Sequence, residues 1–182
     1  ISLFPSRVLI CGLGSVGRRH LRVLRHHWPS LDLAVLRSGR GPECQEISLA
    51  DHIFTQTEDA LKWKPQAAVI ASPATDHLNK ALLFAGHGVP LLIEKPLGSG
   101  NESFTDWHRL IDLADTVLIS IAYVLRHDPC ALYVKNLLEG AKLGHVVEAD
   151  FYCGSWLPDW RPGLDYRDSV SARSELGGGV LL

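Results

Sequence analysis

The 182-residue sequence has no methionine, no long apolar run and no clear excess of either charge. Its 18 basic and 20 acidic residues leave a net charge of −2, so we expect no nucleic acid to bind. A membrane-spanning helix needs about 20 consecutive apolar residues, a length that no stretch reaches, so we expect no membrane partner. The first residues also lack the basic and then apolar order of a signal peptide. Together these absences predict a cytoplasmic protein.

Cysteine is scarce, and no C-x-x-C pair occurs. The four cysteines are Cys11, Cys44, Cys130 and Cys153. This spacing indicates neither a zinc site nor a disulfide framework, and it favours reduced packing cysteines. Position 1 is not methionine, and the sequence stops where an apolar run has just begun. Both features predict a fragment that is truncated at both ends.

Three spaced glycines follow the first apolar run, residues 7–11, and a helical pattern follows the glycines. Gly12 allows a tight turn, Gly14 lets backbone N–H groups approach a pyrophosphate, and Gly17 lets the helix lie close to the strand. The helix N-terminus itself favours an anion. The residues predicted to bind the cofactor here are Gly12, Gly14, Ser15, Val16 and Gly17. The pattern predicts a bound dinucleotide; the alternative is a structural turn without a ligand.

The residues after the second apolar run, 31–36, differ from those of an NAD-type site. In such a site an acidic residue accepts hydrogen bonds from the ribose 2′-hydroxyl. This sequence has Arg37, Ser38 and Arg40 instead, and guanidinium and hydroxyl groups suit a 2′-phosphate. We therefore predict NADP(H) as the preferred cofactor, with NAD as the second candidate. The alternative is that Arg37 is solvated or stacks on the adenine of either cofactor.

Short apolar runs alternate with helical patterns as far as residue 121. The later predicted strands are residues 53–55, 67–71, 90–93 and 116–121, and the later predicted helices are 57–63, with Thr57 as its N-cap, 79–85 and 102–114. This alternation is typical of an α/β fold, a doubly wound parallel sheet covered on both faces. Ligands of such sheets bind beyond the carboxyl ends of the strands. The polar clusters predicted at that edge are residues 12–15, 37–40, 72–77 and 94–95, so Ser72 and Pro73 join the predicted cofactor site.

The sequence pattern changes near residue 122, where we predict a domain boundary. Residues 1–122 would form the dinucleotide-binding domain, and residues 123–182 would begin a second domain. A helix over residues 131–139 and a half-buried strand over residues 146–152 are predicted in this second part. An aromatic and charged loop follows at residues 156–167.

Lys95 is the first candidate for catalysis, because it follows a strand and precedes Pro96, which restricts the backbone before it. The alternative is an ordinary surface cation. His77 could carry a proton, or it could be a helix-start or packing residue. The residues predicted to line a polyol pocket are Trp160, Arg161 and Tyr166, with aromatic rings against sugar faces and charge on hydroxyls. The alternative there is a structural loop.

Three motifs, in this order and spacing, resemble the Gfo/Idh/MocA oxidoreductases, the family of glucose–fructose oxidoreductase and inositol dehydrogenase. The motifs are Gly12-Leu13-Gly14-Ser15-Val16-Gly17-Arg18-Arg19-His20, Ser72-Pro73-Ala74-Thr75-Asp76-His77 and Glu94-Lys95-Pro96-Leu97. The resemblance implies a Rossmann domain followed by an α+β domain with an open, mostly antiparallel sheet. Because that sheet often carries the oligomer contact, it also implies a homo-oligomer for the full-length protein.

The resemblance further implies hydride transfer between a nicotinamide and a hydroxyl or carbonyl carbon of a sugar, amino sugar or polyol. Lys95 would orient or polarise the substrate hydroxyl, Glu94 would contact the nicotinamide ribose, and His77 would lie near the nicotinamide end. The aspartate and histidine that the family places soon after a glycine triplet would fall beyond Leu182, so we expect the fragment to be nearly inactive. The alternative is a non-catalytic dinucleotide-binding module, a redox sensor or scaffold. Such a module has no need of Lys95.

Overall fold

Six short apolar segments pair as one parallel sheet in the computed structural model, which describes residues 4–39, 43–140, 142–160, 163, 165–174 and 178–179. The strands are β1 (Arg7–Cys11), β2 (Asp32–Leu36), β3 (His52–Phe54), β4 (Ala67–Ile70), β5 (Leu91–Ile93) and β6 (Ile119–Ile121). Their spatial order is β3-β2-β1-β4-β5-β6. The order therefore reverses between β1 and β4, and a doubly wound sheet binds its ligand at such a point. The predicted α/β fold is confirmed.

The strand register brings the carboxyl ends of the central strands level with one another. Cys11, the last residue of β1, lies opposite Leu36 of β2 and Ile70 of β4. The pairing continues past the strand ends, because the Gly12 N–H donates to the Leu36 carbonyl at 2.8 Å and the Glu94 N–H donates to the Ile70 carbonyl at 2.9 Å. Residues that follow β1, β2, β4 and β5 therefore meet at one edge of the sheet.

Four of the helices connect strands, the fifth follows the last strand, and two of them begin at a residue whose side chain caps the helix. They are α1 (Ser15–His27), α2 (Thr57–Lys62), α3 (His77–Gly86), α4 (Phe104–Ala114) and α5 (Pro129–Glu139). The Ser103 side chain caps α4 by accepting from the Asp106 N–H, and Asp128 caps α5 by accepting from the Ala131 N–H. The prediction of Thr57 as the N-cap of α2 is wrong. Gln56 is the N-cap and makes no side-chain capping bond, so the helix begins at Thr57, one residue earlier than a cap at Thr57 implies.

Alternate residues of the strands pack into two apolar clusters on opposite faces of the sheet, as the two-residue repeat of a strand requires. One cluster contains Val8 and Ile10 of β1 together with Leu21 of α1. The other contains Leu9 of β1 together with Phe84 of α3, and Leu110 of α4 also belongs to it. Because both faces of the central strands are covered, β1, β2, β4 and β5 are apolar along nearly their whole length.

Residues after Ile121 contribute little to these clusters. None of the residues of α5 is buried. The strand predicted for residues 146–152 is wrong, because that segment has no regular secondary structure and Val147, Phe151 and Tyr152 are more than 90% exposed. A strand forms only where a neighbour bonds its backbone groups, and no described residue after Ile121 supplies such a neighbour. The open second sheet stays a prediction. In the described ranges, no helix has both the length and the apolar character to span a bilayer.

Candidate active site

The three glycines after β1 serve two different purposes. Gly12 has a φ of +96°, and a Cβ added there would lie 2.6 Å from the Ala71 carbonyl oxygen. A Cβ on Gly17 would overlap the carbonyl oxygen of Gly12, so α1 can approach the β1 turn only because Gly17 lacks one. At Gly14, no heavy atom of the described chain lies within 4 Å of an added Cβ. The first and third glycines thus allow close packing, and the second leaves open space above the loop.

The N-terminus of α1 borders this open space. Its N-cap is Gly14, which has no side chain to accept from the first N–H groups, and its first turn contains no acidic residue. The N–H groups of Ser15 and Val16 therefore lack partners within the helix, as the first four of any helix do. Unpaired N–H groups and the positive end of the helix dipole favour an anion such as a pyrophosphate.

Two buried polar atoms beside the loop have no hydrogen-bond partner among the described residues. They are Ser72 Oγ, in the turn that touches Gly12, and Arg18 Nε, in the first turns of α1. A buried donor or hydroxyl without a partner destabilises the folded state by about 1–3 kcal/mol. Such atoms are therefore rare unless a ligand supplies the missing hydrogen bond. A dinucleotide carries the phosphate and hydroxyl oxygens that these atoms need, and the site fits it.

The end of β2 lies at the same edge. The Arg37 N–H donates to the Phe54 carbonyl at 3.0 Å, which extends the pairing of β2 with β3. Arg37 is half-buried and Ser38 is exposed, while Arg40 lies outside the described residues. Arg37 and Ser38 thus follow β2 at this edge, and the predicted contact of Arg37, Ser38 and Arg40 with a 2′-phosphate stays a prediction.

The segment Glu94-Lys95-Pro96 follows β5 directly. The Glu94 carboxylate bonds His20 of α1, with 2.7 Å between Oε1 and the ring Nε2. Its second oxygen accepts from the Lys95 N–H at 3.3 Å. Lys95 itself is exposed, and its ammonium makes no hydrogen bond or ion pair with any residue that the structure describes. A free cation therefore stands at the ligand-binding edge, next to a carboxylate whose position is set by a helix.

His77 is the most deeply buried polar residue of the site, at 2% exposure. It begins α3, and its two ring nitrogens lie 2.8 Å from the Pro96 carbonyl oxygen and 2.7 Å from the Ser72 carbonyl oxygen. Both nitrogens are therefore engaged with the backbone, which agrees with the packing alternative for this residue rather than with proton transfer. Its predicted contact with a nicotinamide stays a prediction.

His20 is the site residue that sequence reasoning missed. The sequence pattern gives His20 no role, because it reads as one of several histidines on a helix surface. One signal was present: His20 lies three residues after the buried Gly17, and residues three apart share a helix face. The side chains of His20 and Glu94 are only 23% and 13% exposed, so the pair is largely shielded from solvent.

The residues predicted to line a substrate pocket are not joined to Lys95 by any hydrogen bond or ion pair within the described ranges. Trp160 is 59% exposed and follows a short 3₁₀ turn. Tyr166 begins another such turn, and the Arg167 guanidinium lies 4.8 Å from its ring centre. Arg161 lies outside the described residues. The pocket remains a prediction.

Cys11 lies close to the site but has the properties of a packing residue. It is fully buried, and its burial raises the pKa of the thiol to about 12, although the charge of Lys80 acts in the opposite direction. The thiol is therefore neutral and unreactive near pH 7. No group of three potential metal ligands occurs in the described parts of the chain.

A sequence model of the Gfo/Idh/MocA proteins, described as an oxidoreductase family with an NAD-binding Rossmann fold, matches residues 6–119. The chain belongs to this family. The resemblance carried by the three motifs is thereby confirmed, and the glycine loop is part of an NAD-binding fold.

One curated enzyme and two solved structures are examples of the proteins to which this Gfo/Idh/MocA chain is similar. The inositol 2-dehydrogenase of Corynebacterium glutamicum (strain R) is 25% identical over 145 residues, which are 78% of this chain and 43% of that enzyme. The scyllo-inositol dehydrogenase of Lactobacillus casei, solved with NAD(H) and scyllo-inositol, is 21% identical with a TM-score of 0.63, over 75% of this chain and 42% of its own. The WlbA dehydrogenase of Bordetella pertussis, in complex with NADH and UDP-GlcNAcA, is 20% identical with a TM-score of 0.64, over 78% and 44%. The chain thus spans less than half the length of these relatives.

Proposed function

We propose that this chain is the cofactor-binding part of a dehydrogenase that transfers a hydride between a nicotinamide and the hydroxyl-bearing carbon of a polyol or sugar. One observation carries the proposal. The free ammonium of Lys95 stands at the same edge of the sheet as the uncapped N-terminus of α1. The relatives that act on inositol, and the neighbour solved with a sugar nucleotide, support polyols and sugars as the substrate class.

The residues divide the work along the edge of the sheet. Gly14, Ser15 and Val16 hold the pyrophosphate at the start of α1. Ser72, Pro73 and His77 lie toward the nicotinamide end, where the Glu94 carboxylate accepts from the ribose. These roles follow from the family resemblance and from the order of the strands.

Lys95 acts on the substrate oxygen. When bound, the nicotinamide accepts or supplies the hydride. As the hydride leaves an alcohol carbon, negative charge develops on its oxygen, and the Lys95 ammonium stabilises that charge. The proton itself passes to a group outside this chain, for which general acid–base catalysis contributes about 10²–10⁴-fold. We therefore expect the chain alone to bind cofactor but to turn over substrate very slowly.

We further propose that the preferred cofactor is NADP(H). Arg37, Ser38 and Arg40 offer positive charge and a hydroxyl where an NAD-type site has a carboxylate. The alternative, Arg37 stacked on the adenine, predicts no preference between the two cofactors. The Trp160, Arg161 and Tyr166 side chains complete the proposed substrate pocket.

Titration of the chain with NADPH and with NADH, followed by fluorescence, tests the cofactor assignment. We expect NADPH to bind at least about tenfold more tightly, a difference of about 1.4 kcal/mol. Arg37→Asp should reverse the preference, because a carboxylate repels a 2′-phosphate. Arg109→Asp on the exposed face of α4 is the matched control and should leave both affinities unchanged. Tighter binding of NADH to the unaltered chain would refute the NADP(H) assignment, and binding of neither would refute the proposed function.

The architecture and setting of the whole protein belong to the proposal as well. Residues 1–122 would form the dinucleotide domain, and residues 123–182 would begin the substrate domain. The full-length protein would be a cytoplasmic homo-oligomer.

A non-catalytic dinucleotide-binding module is the competing function. Turnover of inositol by the full-length protein separates the two functions. An enzyme turns over inositol and loses that activity when Lys95 is replaced by alanine, whereas a binding module binds the dinucleotide equally well with and without Lys95.

A further inference from the structure

Two helices on opposite faces of the sheet bond the two ends of one three-residue segment. The segment Glu94-Lys95-Pro96, called the catalytic segment below, is met by His20 from α1 at its first residue and by His77 from α3 at its last. The packing of the two helices shows that they lie on different faces: Leu21 belongs to one apolar cluster and Phe84 to the other. The segment is thus held from both sides of the sheet, with Lys95 in the middle.

We propose that His20 and His77 are positioning residues that hold the catalytic segment in place and thereby fix the location of Lys95. This inference rests on the proposed function, since it takes Lys95 as the group that meets the substrate. Neither histidine is proposed to exchange a proton with substrate. Both ring nitrogens of His77 already face backbone carbonyls, and the ring is only 2% exposed.

The segment needs such support because strand pairing ends before it. β5 ends at Ile93, and the Glu94 N–H makes the last bond to β4, at 2.9 Å from the Ile70 carbonyl. Pro96 has no N–H to donate. The Lys95 N–H makes only a 3.3 Å contact with the Glu94 side chain. Side chains from elsewhere therefore determine where the segment lies.

His20 fixes the first residue of the segment and connects it to the cofactor loop. Its Nε2 lies 2.7 Å from Glu94 Oε1, and hydrogen bonds to a carboxylate are about twice as strong as neutral ones. Because His20 belongs to the helix that begins at the glycine loop, the pyrophosphate-binding end and the catalytic segment share one rigid element. Cofactor binding at the start of α1 and the position of Glu94 are thus mechanically connected.

His77 fixes the last residue of the segment and connects it to the neighbouring loop. One ring nitrogen faces the Pro96 carbonyl, after β5, and the other faces the Ser72 carbonyl, after β4. A neutral imidazole donates one of these bonds and a protonated imidazole donates both. In either state, a single buried ring spans the two loops that border the proposed nicotinamide end.

Conservative substitutions separate the two histidines from a general loss of packing. In His20→Gln, the amide nitrogen takes the place of Nε2 and keeps the bond to Glu94, whereas His20→Leu removes it. In His77→Asn, the amide nitrogen takes the place of Nδ1 and keeps the bond to Pro96. His77→Gln keeps only the bond to Ser72, and His77→Leu keeps neither. The matched control is His108→Leu, because His108 also bonds a backbone carbonyl, that of Phe104 at 2.7 Å, but lies on α4 away from the segment.

Two measurements report on the segment without any turnover: hydrogen–deuterium exchange of a peptide that covers residues 94–98, and the rate of amine labelling at Lys95. We expect both leucine variants to exchange about tenfold faster over residues 94–98 and to alter the labelling rate of Lys95. His20→Gln and His77→Asn should behave like the unaltered chain, and His77→Gln should resemble His77→Leu. The His108→Leu control should show no change.

Unchanged exchange and labelling in folded leucine variants would overturn the proposal, and so would a failure of the glutamine and asparagine variants to restore them. Circular dichroism checks that each variant is folded. If the buried His77→Leu change prevents folding, two comparisons still test the proposal. One compares His20→Gln with His20→Leu, and the other compares His77→Asn with His77→Gln. The proposed function fails separately, because a chain that binds no dinucleotide would leave the exchange results as they are.

Discussion

At the scale of single residues, the three glycines of the first loop show how the same residue type meets different requirements. Gly17 and Gly12 are needed by the protein itself, because an added Cβ would collide with neighbouring backbone at either position. Gly14 meets no such neighbour among the described residues, and its φ of −69° suits any residue. Its lack of a side chain therefore matters for the ligand and not for folding.

Alanine substitution should separate these two roles. Gly17→Ala places a Cβ against the Gly12 carbonyl oxygen, so we expect a loss of about 2 kcal/mol in the free energy of unfolding, measured by urea denaturation. Gly14→Ala should leave that free energy within about 0.5 kcal/mol and weaken dinucleotide binding about tenfold. The two variants serve as controls for each other. Equal stability of Gly17→Ala and the unaltered chain would contradict the packing described at this loop.

At the scale of elements, Asp51 joins three segments at the edge of the sheet opposite the ligand. Its Oδ2 accepts from the Leu33 N–H of β2 at 2.8 Å and from Arg25 Nη2 of α1 at 2.6 Å. Arg25 also donates to the Leu49 carbonyl, which leads into β3. The Leu33 N–H, and secondarily the Arg25 guanidinium, hold the pKa of Asp51 below its usual value of 3.8, although partial burial opposes them.

The stability that Asp51 contributes should depend on pH in a defined direction. Because its pKa is lower in the folded state than in the unfolded state, the contribution is complete above about pH 3.8 and is lost as the pH falls through the folded value. We expect Asp51→Ala to reduce the free energy of unfolding by about 1 kcal/mol at pH 7, since the side chain is 46% exposed and solvent screens the ion pair.

The measurement is urea denaturation of both proteins at several pH values. The difference between them should shrink below about pH 3.8. Asp112→Ala, at an exposed position of α4, is the control and should cost little at any pH. If the difference in the free energy of unfolding grew toward low pH, folding would raise the pKa of Asp51 instead of lowering it.

At the scale of the whole molecule, the apolar clusters and the rest of the chain are separate. The described residues that form or line the two clusters lie between Val8 and Ile121. α5 buries none of its residues, and the aromatic side chains of Phe151 and Tyr152 are almost fully exposed. The stability of the described fold therefore comes from its first two thirds.

A chain shortened to residues 1–122 should fold by itself. We expect its free energy of unfolding to lie within about 1 kcal/mol of the full value, because the shortened chain keeps both clusters and the Ala122 N–H bond to the Ile93 carbonyl, at 2.8 Å. Phe84→Ala is the contrasting variant and should cost about 3–5 kcal/mol, since Phe84 is fully buried. Urea denaturation followed by circular dichroism measures both. An unfolded 1–122 chain would refute the predicted domain boundary.

Sequence reasoning succeeded where structure depends on neighbouring residues. The run before Gly12 and the runs that became β2 and β4 are recognisable because a strand buried on both faces is apolar throughout. It failed for residues 146–152, because a strand exists only with a partner and the partner is not written in the segment itself. It misplaced the cap of α2 by one residue, because Gln56 and Thr57 differ in how the backbone enters the helix, which side-chain chemistry alone does not specify.

The sequence by itself therefore determined the order of strands and helices along the chain and the position of the glycine loop. It also determined the edge of the sheet at which Arg37, Ser72 and Glu94 follow their strands. Only the tertiary structure decided that His20 bonds Glu94, 74 residues away, and that His77 joins the backbone at Ser72 and Pro96. Local patterns record the chemistry of adjacent residues. Contacts between a helix and a loop that is distant in the sequence depend on how the whole chain packs, and no local pattern records them.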